Sequence, residues 1–124
     1  MTVDSRQFRR MALAFDGAVE KAHMGHPDFR VAKGKIFATL NATGTGGALM
    51  LTPEQQADVI AAHPEAFAPA AGAWGRGGST IVTLAAIDEE TLGEAMTLAW
   101  QAANAVVSRK SSVVSRRRSP SARR

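Results

Sequence analysis

The sequence predicts an α+β fold in which helices pack on one face of an antiparallel sheet. Three observations predict this class. Apolar residues recur at helical spacing near both ends of the chain, short extended runs with turn signals occupy the middle, and a capped helix interrupts these runs. The length of 124 residues matches one domain.

The first predicted helix spans residues 5 to 15, where apolar side chains recur at steps of three and four residues: Phe8, Met11, Ala12 and Phe15. Gly17 is placed to end this helix, because glycine adopts the left-handed backbone conformation at a helix C-terminus without steric cost. The stretch from Ala18 to Met24 alternates loosely and fits either a strand or a short helical continuation.

Two extended runs, residues 29–31 and 35–40, predict a β-hairpin. Ala32, Lys33 and Gly34 separate the runs, and Gly34 can supply the positive φ of a tight turn. The turn-rich residues 41–47 lead to an apolar run at 48–51, which predicts another antiparallel strand.

A second helix is predicted to begin at Thr52, with Pro53 in its first turn and Gln55 completing a capping box. We expect it to end at His63, because Pro64 disfavours helical geometry in the residue before it.

Residues 64–78 are rich in glycine and are expected to have little regular structure, with a turn at residues 75–78. Residues 79–85 are β-branched and alternating, which predicts a strand. Asp88 is the expected N-cap of the last helix. The apolar stripe of that helix should be buried: Leu92, Ala95, Met96, Ala99 and Ala103.

Charge is unevenly distributed along the chain. The 15 Lys and Arg residues against 11 Asp and Glu residues give a formal charge of +4. Seven of the basic residues and no acidic residue lie in residues 108–124, so residues 1–107 have a formal charge of −3. We therefore divide the chain into a domain, residues 1–107, and a basic tail, residues 108–124, whose Ser/Arg composition predicts disorder in isolation. The tail fits a phosphate-contacting arm, a solubilising end, or the remnant of a shifted or engineered terminus.

Several classes are excluded by what the sequence lacks. The chain has no cysteine, which excludes disulfides, thiolate metal sites and a cysteine nucleophile. It has neither a stretch of about 18 apolar residues nor a signal peptide, so we expect a cytoplasmic protein without membrane contact. His23 and His26 have a spacing that suits metal ligands on a helix, but Gly25 and Pro27 argue against a helix there. We expect no enzyme, no metal and no cofactor.

Four basic side chains are candidate contacts for nucleic acid: Arg30, Lys33 and Lys35 around one predicted hairpin tip, and Arg76 in a second turn. Such tips can lie along a DNA backbone and neutralise phosphates without reading sequence. The alternative is that lysine and arginine occupy these tips because the tips are solvated.

Phe37 belongs to a second candidate region. Alternation along residues 35–40 places Phe37 on the sheet face opposite to Ile36, Ala38 and Leu40. We expect it to be buried against the segment that contains Phe67 and Trp74, with stacking on a base or a partner as the alternative. The region formed by Phe37, Phe67 and Trp74 would then bind a protein partner or a small ligand.

Four sequence blocks resemble the MmcQ/YjbR family: HPDFRV at 26–31, GKIFATL at 34–40, LTPEQQ at 51–56 and GAWG at 72–75. The resemblance covers roughly residues 5–103 and implies a frataxin-like (CyaY-like) fold. Members are commonly described as DNA-binding, because the fold is similar to the double-wing DNA-binding domain of a phage transcription factor. The resemblance therefore implies DNA as a partner. Frataxins bind iron through an acidic first helix. The first predicted helix of this chain differs, because it carries Arg6, Arg9 and Arg10.

Overall fold

A computed structural model describes residues 2–23 and 26–113, and side chains over residues 2–22 and 26–105. Over these ranges the helices are α1 Ser5–Leu13, α2 Pro53–Ala62, α3 Gly72–Arg76 and α4 Glu89–Val113. The strands are β1 Val19–His23, β2 His26–Arg30, β3 Ile36–Leu40, β4 Gly46–Met50, β5 Phe67–Pro69 and β6 Ser79–Thr83. A 3-10 turn, Leu84–Ala86, joins β6 to the segment before α4.

The six strands form one antiparallel sheet in the order β1-β2-β3-β4-β6-β5. Its register sorts the side chains into two faces. Successive partners on the first, which we call the helix face, are Glu20, Phe29, Ala38, Leu49, Thr80 and Pro69. Successive partners on the second, the open face, are Lys21, Asp28, Thr39, Ala48, Ile81 and Ala68.

The hydrophobic core lies between the helix face and the helices α1 and α4. Phe8 of α1 packs on Phe29 with ring centroids 6.0 Å apart, and α1 is tied to the sheet by the bidentate pair of Arg9 and Glu20. The predicted apolar stripe of α4 is fully buried. The predicted α+β class is therefore confirmed.

Phe37 departs from the alternation that the sequence predicts. Phe29 pairs with Ala38, but the next residue, Arg30, pairs with Ile36, so Phe37 is an extra residue in β3. Such a β-bulge brings two neighbouring side chains to one face. Phe37 and Ala38 are both 0% exposed in the core. Phe37 is thus buried, as predicted, and it packs edge-on against Phe15 with ring centroids 5.8 Å apart.

Local signals predicted other elements correctly. The stretch that begins at Ala18 fits either a strand or a short helix by sequence, and it forms the strand β1. The predicted capping box of α2 forms, since Thr52 Oγ1 accepts from the Gln55 amide at 3.1 Å and Gln55 Oε1 accepts from the Thr52 amide at 3.0 Å. Asp88 Oδ1 likewise accepts from the Thr91 amide at 2.7 Å, which lowers the pKa of Asp88.

The segment at residues 64–78 is more regular than predicted. It contains strand β5, which pairs with β6 at the edge of the sheet, and helix α3. Residues 75–78 form the end of α3 and the link to β6, not the tip of a second hairpin.

Helix α4 continues to Val113, so the predicted domain boundary at residue 107 falls inside a helix. The tail is predicted to be disordered in isolation. Its residues 114–124, which follow this helix, lie outside the described residues. No helix over the described ranges is both long and apolar enough to cross a membrane.

Candidate nucleic-acid interface

The open face carries a groove with a volume of about 890 Å³. Side chains of the central strands line it: Ile36 and Thr39 from β3, and Ala48 and Met50 from β4. Trp74 of α3 borders the groove, as do Ala102 and Ala103 of α4. The groove is therefore lined mainly by apolar side chains, although it lies on the solvent side of the sheet.

Trp74 is the most exposed large apolar side chain of the described residues, at 77%. Tryptophan is usually highly buried in folded proteins. The neighbours of Trp74 in sequence are glycines and alanines, which are too small to cover an indole ring. This local composition was the sequence signal for an exposed aromatic side chain.

The backbone that carries Trp74 is well anchored. The side-chain amide Nε2 of Gln56 donates to the carbonyl oxygens of Gly75 and Ser79, both at 3.0 Å. Gly75 is buried, and a Cβ atom there would overlap the carbonyl oxygen of Ala70. Nothing in the sequence pattern singled out Gln56, because its partners lie 19 and 23 residues away.

Lys33 and Lys35 are both exposed in the predicted hairpin between β2 and β3. The turn is closed by the Gly34 amide, which donates to the Val31 carbonyl at 2.8 Å, and by the Val31 amide, which donates to the Lys35 carbonyl at 2.9 Å. Gly34 has the positive φ, 100°, that the sequence predicted. Lys35 lines the groove, and Lys33 precedes Lys35 by two residues in the same turn.

Arg30 also lines the groove, but it is engaged with Asp28. Its Nε donates to Asp28 Oδ1 at 2.9 Å and its Nη2 to Asp28 Oδ2 at 3.3 Å. This hydrogen bond raises the pKa of Arg30. The Asp28 side chain is only 3% exposed, so Arg30 compensates a buried carboxylate. A structural role therefore accounts for much of its charge.

Arg76 is separated from the other three candidates. It is exposed in the last turn of α3 and does not line the groove. Two residues along a helix correspond to a rotation of about 200°, so Arg76 points away from the side of α3 that carries Trp74. The structure thus brings together Arg30, Lys33 and Lys35, but not Arg76.

The second candidate region does not form one surface. Phe37 and Phe67 are 0% and 2% exposed in the core on the helix face. Trp74 borders the open face instead. Of the three aromatic residues, only Trp74 is available to a ligand.

The acidic cluster at residues 88–94 lies away from the groove. Its lining contains two basic side chains and no acidic side chain among the described residues. Glu54 follows the lining residue Pro53, whereas four acidic residues begin α4, at residues 88–94. Glu94 is about 14 Å along the helix axis from Ala103 at the groove, which exceeds the Debye length of about 8 Å at physiological salt. The acidic residues at the start of α4 therefore contribute little to the potential at this groove.

The paired histidines are only partly described. His23 and His26 face each other across β1 and β2, and His26 is exposed. The side chain of His23 and residues 24–25 lie outside the described part of the chain. Over the residues that are described, no group of three His, Cys, Asp or Glu side chains could hold a metal ion.

Fold and groove together define a small α+β domain with a single antiparallel sheet, two helices on one face and a ligand-sized groove on the other. The chain belongs to the YjbR family, whose model matches residues 13–102. This confirms the family that the sequence blocks indicate.

A solved structure gives the same fold. The crystal structure of Deinococcus radiodurans protein DR2400, with a DUF419 domain, matches with a TM-score of 0.64. The match covers 84% of this chain and 78% of that chain at 21% sequence identity, so the likeness concerns the fold alone. No curated protein matches the chain.

Proposed function

We propose that the protein is a non-enzymatic, cytoplasmic DNA-binding module that contacts phosphates through the basic turn between β2 and β3. One observation carries the proposal: exposed lysines at positions 33 and 35 adjoin a groove that contains an exposed tryptophan and no acidic lining residue. An ordered turn holds the two lysines, so little backbone entropy is lost when they meet phosphates.

The lysines and the two arginines are expected to contribute unequally. Lys33 and Lys35 are exposed, and no ion pair engages them among the described residues. Arg30 already shares its charge with Asp28, and Arg76 lies on another side of α3. Lys33 and Lys35 should therefore account for most of the domain's phosphate contacts.

The tail supports the proposal through its position. Arg109 lies on α4 about 9 Å along the helix axis from Ala103, which borders the groove. The basic segment therefore begins close to the groove and would add sequence-independent attraction to a bound strand.

Salt titration tests the proposal. Binding of a labelled DNA would be measured by fluorescence anisotropy for the chain and for a Lys33→Gln/Lys35→Gln variant. The matched control is Arg6→Gln/Arg10→Gln, which removes the same charge from exposed positions on α1. Each lost phosphate contact reduces the slope of log K against log salt by about 0.9 for duplex DNA. We expect a reduction of about 2 for the lysine variant and almost none for the control.

A separate variant tests the contribution of the tail. A full-length variant with Arg116, Arg117 and Arg118 replaced by serine keeps every described residue intact. Retained binding at low salt in this variant supports the domain as the site. If binding vanishes in it, and the two double variants bind alike, the tail is the site and the proposal for the domain is wrong.

A small apolar ligand or a protein partner is the second candidate. The apolar floor at Ile36, Ala48 and Met50 favours it. It predicts no nucleic-acid binding at low salt, together with a change in Trp74 fluorescence on addition of the partner or ligand. A Trp74→Ala variant that still binds it unchanged would exclude this candidate.

A further inference from the structure

We infer that the groove takes single-stranded rather than duplex nucleic acid, with an unpaired base stacked on Trp74. The inference rests on the proposed function and specifies its ligand. It follows from three properties of the groove: an anchored, exposed indole, an apolar floor, and basic side chains near one end.

Trp74 can stack only on a base that is separated from its neighbours. Base faces in a duplex are covered by neighbouring base pairs, so a protein ring reaches them only when the bases are unstacked. Proteins that bind single strands use aromatic side chains as platforms for this purpose. The Trp74 ring is exposed, and the two hydrogen bonds from Gln56 to α3 and to β6 anchor the backbone that carries it.

The floor of the groove is apolar at Ile36, Ala48 and Met50. Duplex DNA presents phosphates and the polar edges of base pairs to a protein. Ile36, Ala48 and Met50 have no polar side-chain atoms that could pair with these edges, but they suit the apolar faces of a base and a sugar. The volume of 890 Å³ lies within the range of sites that enclose small molecules, about 300–1,000 Å³.

Arg30 lies on β2, and Trp74 precedes β6, three strands away in the sheet order. Three strand spacings correspond to about 14 Å. A base on Trp74 and a phosphate at Arg30 would therefore belong to different nucleotides of an extended strand.

The test compares a thymidine oligonucleotide with a duplex of the same length, each titrated into the full chain at low salt. Anisotropy gives the affinity, and tryptophan fluorescence reports stacking. The second tryptophan, Trp100, is stacked on Phe15 at 5.4 Å on the helix side, so quenching on binding should come from Trp74. We expect stronger binding of the single strand and quenching by it.

Variants assign the effect to the ring. Stacking of one base corresponds to about a 5- to 150-fold change in affinity. Trp74→Ala should weaken single-strand binding within this range, abolish quenching and leave duplex binding unchanged, whereas Trp74→Phe should retain most of the affinity. Leu13→Ala removes another exposed apolar side chain, on α1, and should change neither affinity. Thermal denaturation should give nearly the wild-type midpoint for Trp74→Ala, because the side chain is exposed.

The measured affinities distinguish the single-strand inference from the proposed function. The tail attracts both forms of DNA, so the decisive quantity is the ratio of single-strand to duplex affinity and its dependence on Trp74. Equal affinities that Trp74→Ala does not change overturn the single-strand inference and leave the proposed function standing. Absence of binding to either form at low salt overturns the proposed function itself.

Discussion

Gln56→Ala is expected to destabilise the protein and release α3, although Gln56 is only half-buried on α2. Its amide donates two hydrogen bonds, at 3.0 Å each, to the carbonyl oxygens of Gly75 and Ser79. These bonds join α2 to the helix that carries Trp74 and to the start of β6. The substitution removes both donors and leaves two carbonyl groups without this partner.

The expected change in the free energy of unfolding follows from the two hydrogen bonds. A neutral hydrogen bond contributes a net of about 0.5–1.5 kcal/mol, so Gln56→Ala should lower the free energy of unfolding by about 1–3 kcal/mol. Alanine recovers at most a few tenths of a kcal/mol through its helix propensity. Urea slopes of about 1–3 kcal/mol/M are typical of small proteins, so the midpoint should fall by about 1 M.

Urea denaturation, followed by circular dichroism, measures the change. Gln101→Ala is the matched control, because Gln101 is an exposed glutamine on α4 and its loss should change stability by less than about 0.5 kcal/mol. Equal midpoints for Gln56→Ala and Gln101→Ala would refute the assigned role of the two hydrogen bonds.

Gln56→Glu tests the same contact through pH. An ionised carboxylate would face the carbonyl oxygens of Gly75 and Ser79, so the folded state should raise the pKa of the introduced group above its unfolded value of about 4.3. The folded state then binds the proton more tightly than the unfolded state. The stability deficit of the variant should therefore shrink as pH falls through the raised pKa and be fully expressed above it. A deficit that does not depend on pH would contradict this account.

Three further predictions concern the core, a helix cap and a glycine. Phe37→Ala should lower the free energy of unfolding by about 3–5 kcal/mol, because the ring is fully buried against Phe15; a loss below 1 kcal/mol in urea denaturation would argue against this packing. Asp88→Ala should lower the free energy of unfolding at neutral pH. Because the folded state lowers the pKa of Asp88, the difference in stability from wild type should disappear as pH falls through that pKa. Urea midpoints measured across pH would test this. Gly75→Ala should cost about 1–3 kcal/mol in thermal or urea denaturation, because its Cβ would overlap the Ala70 carbonyl; wild-type stability would contradict that overlap.

Much of the fold could be predicted because its signals are local. The capping box at Thr52 and the turn glycine at Gly34 involve residues within a few positions of one another, and both are found where expected. The buried stripe of α4 likewise follows from helical spacing along one segment. The sequence blocks that resemble the YjbR family are likewise short runs of neighbouring residues, such as 34–40 and 51–56.

The candidate site was harder to predict, because it depends on pairing between distant segments. Alternation placed Ile36 and Phe37 on the wrong faces, since the extra residue in β3 is defined only by its partners in β2. The glycine-rich segment before β6 gained a strand and a helix through edge pairing with β6 and through Gln56.

By itself, the sequence determined the α+β class, most of the elements and the basic turn at Lys33 and Lys35, because each depends on spacing and backbone preference over a few residues. Only the tertiary structure decided that Phe37 is buried while Trp74 borders a groove, and that Arg30 is paired with Asp28 whereas Arg76 lies apart. Burial and ion pairing depend on which segments meet in space, and that is fixed by the register of the whole sheet.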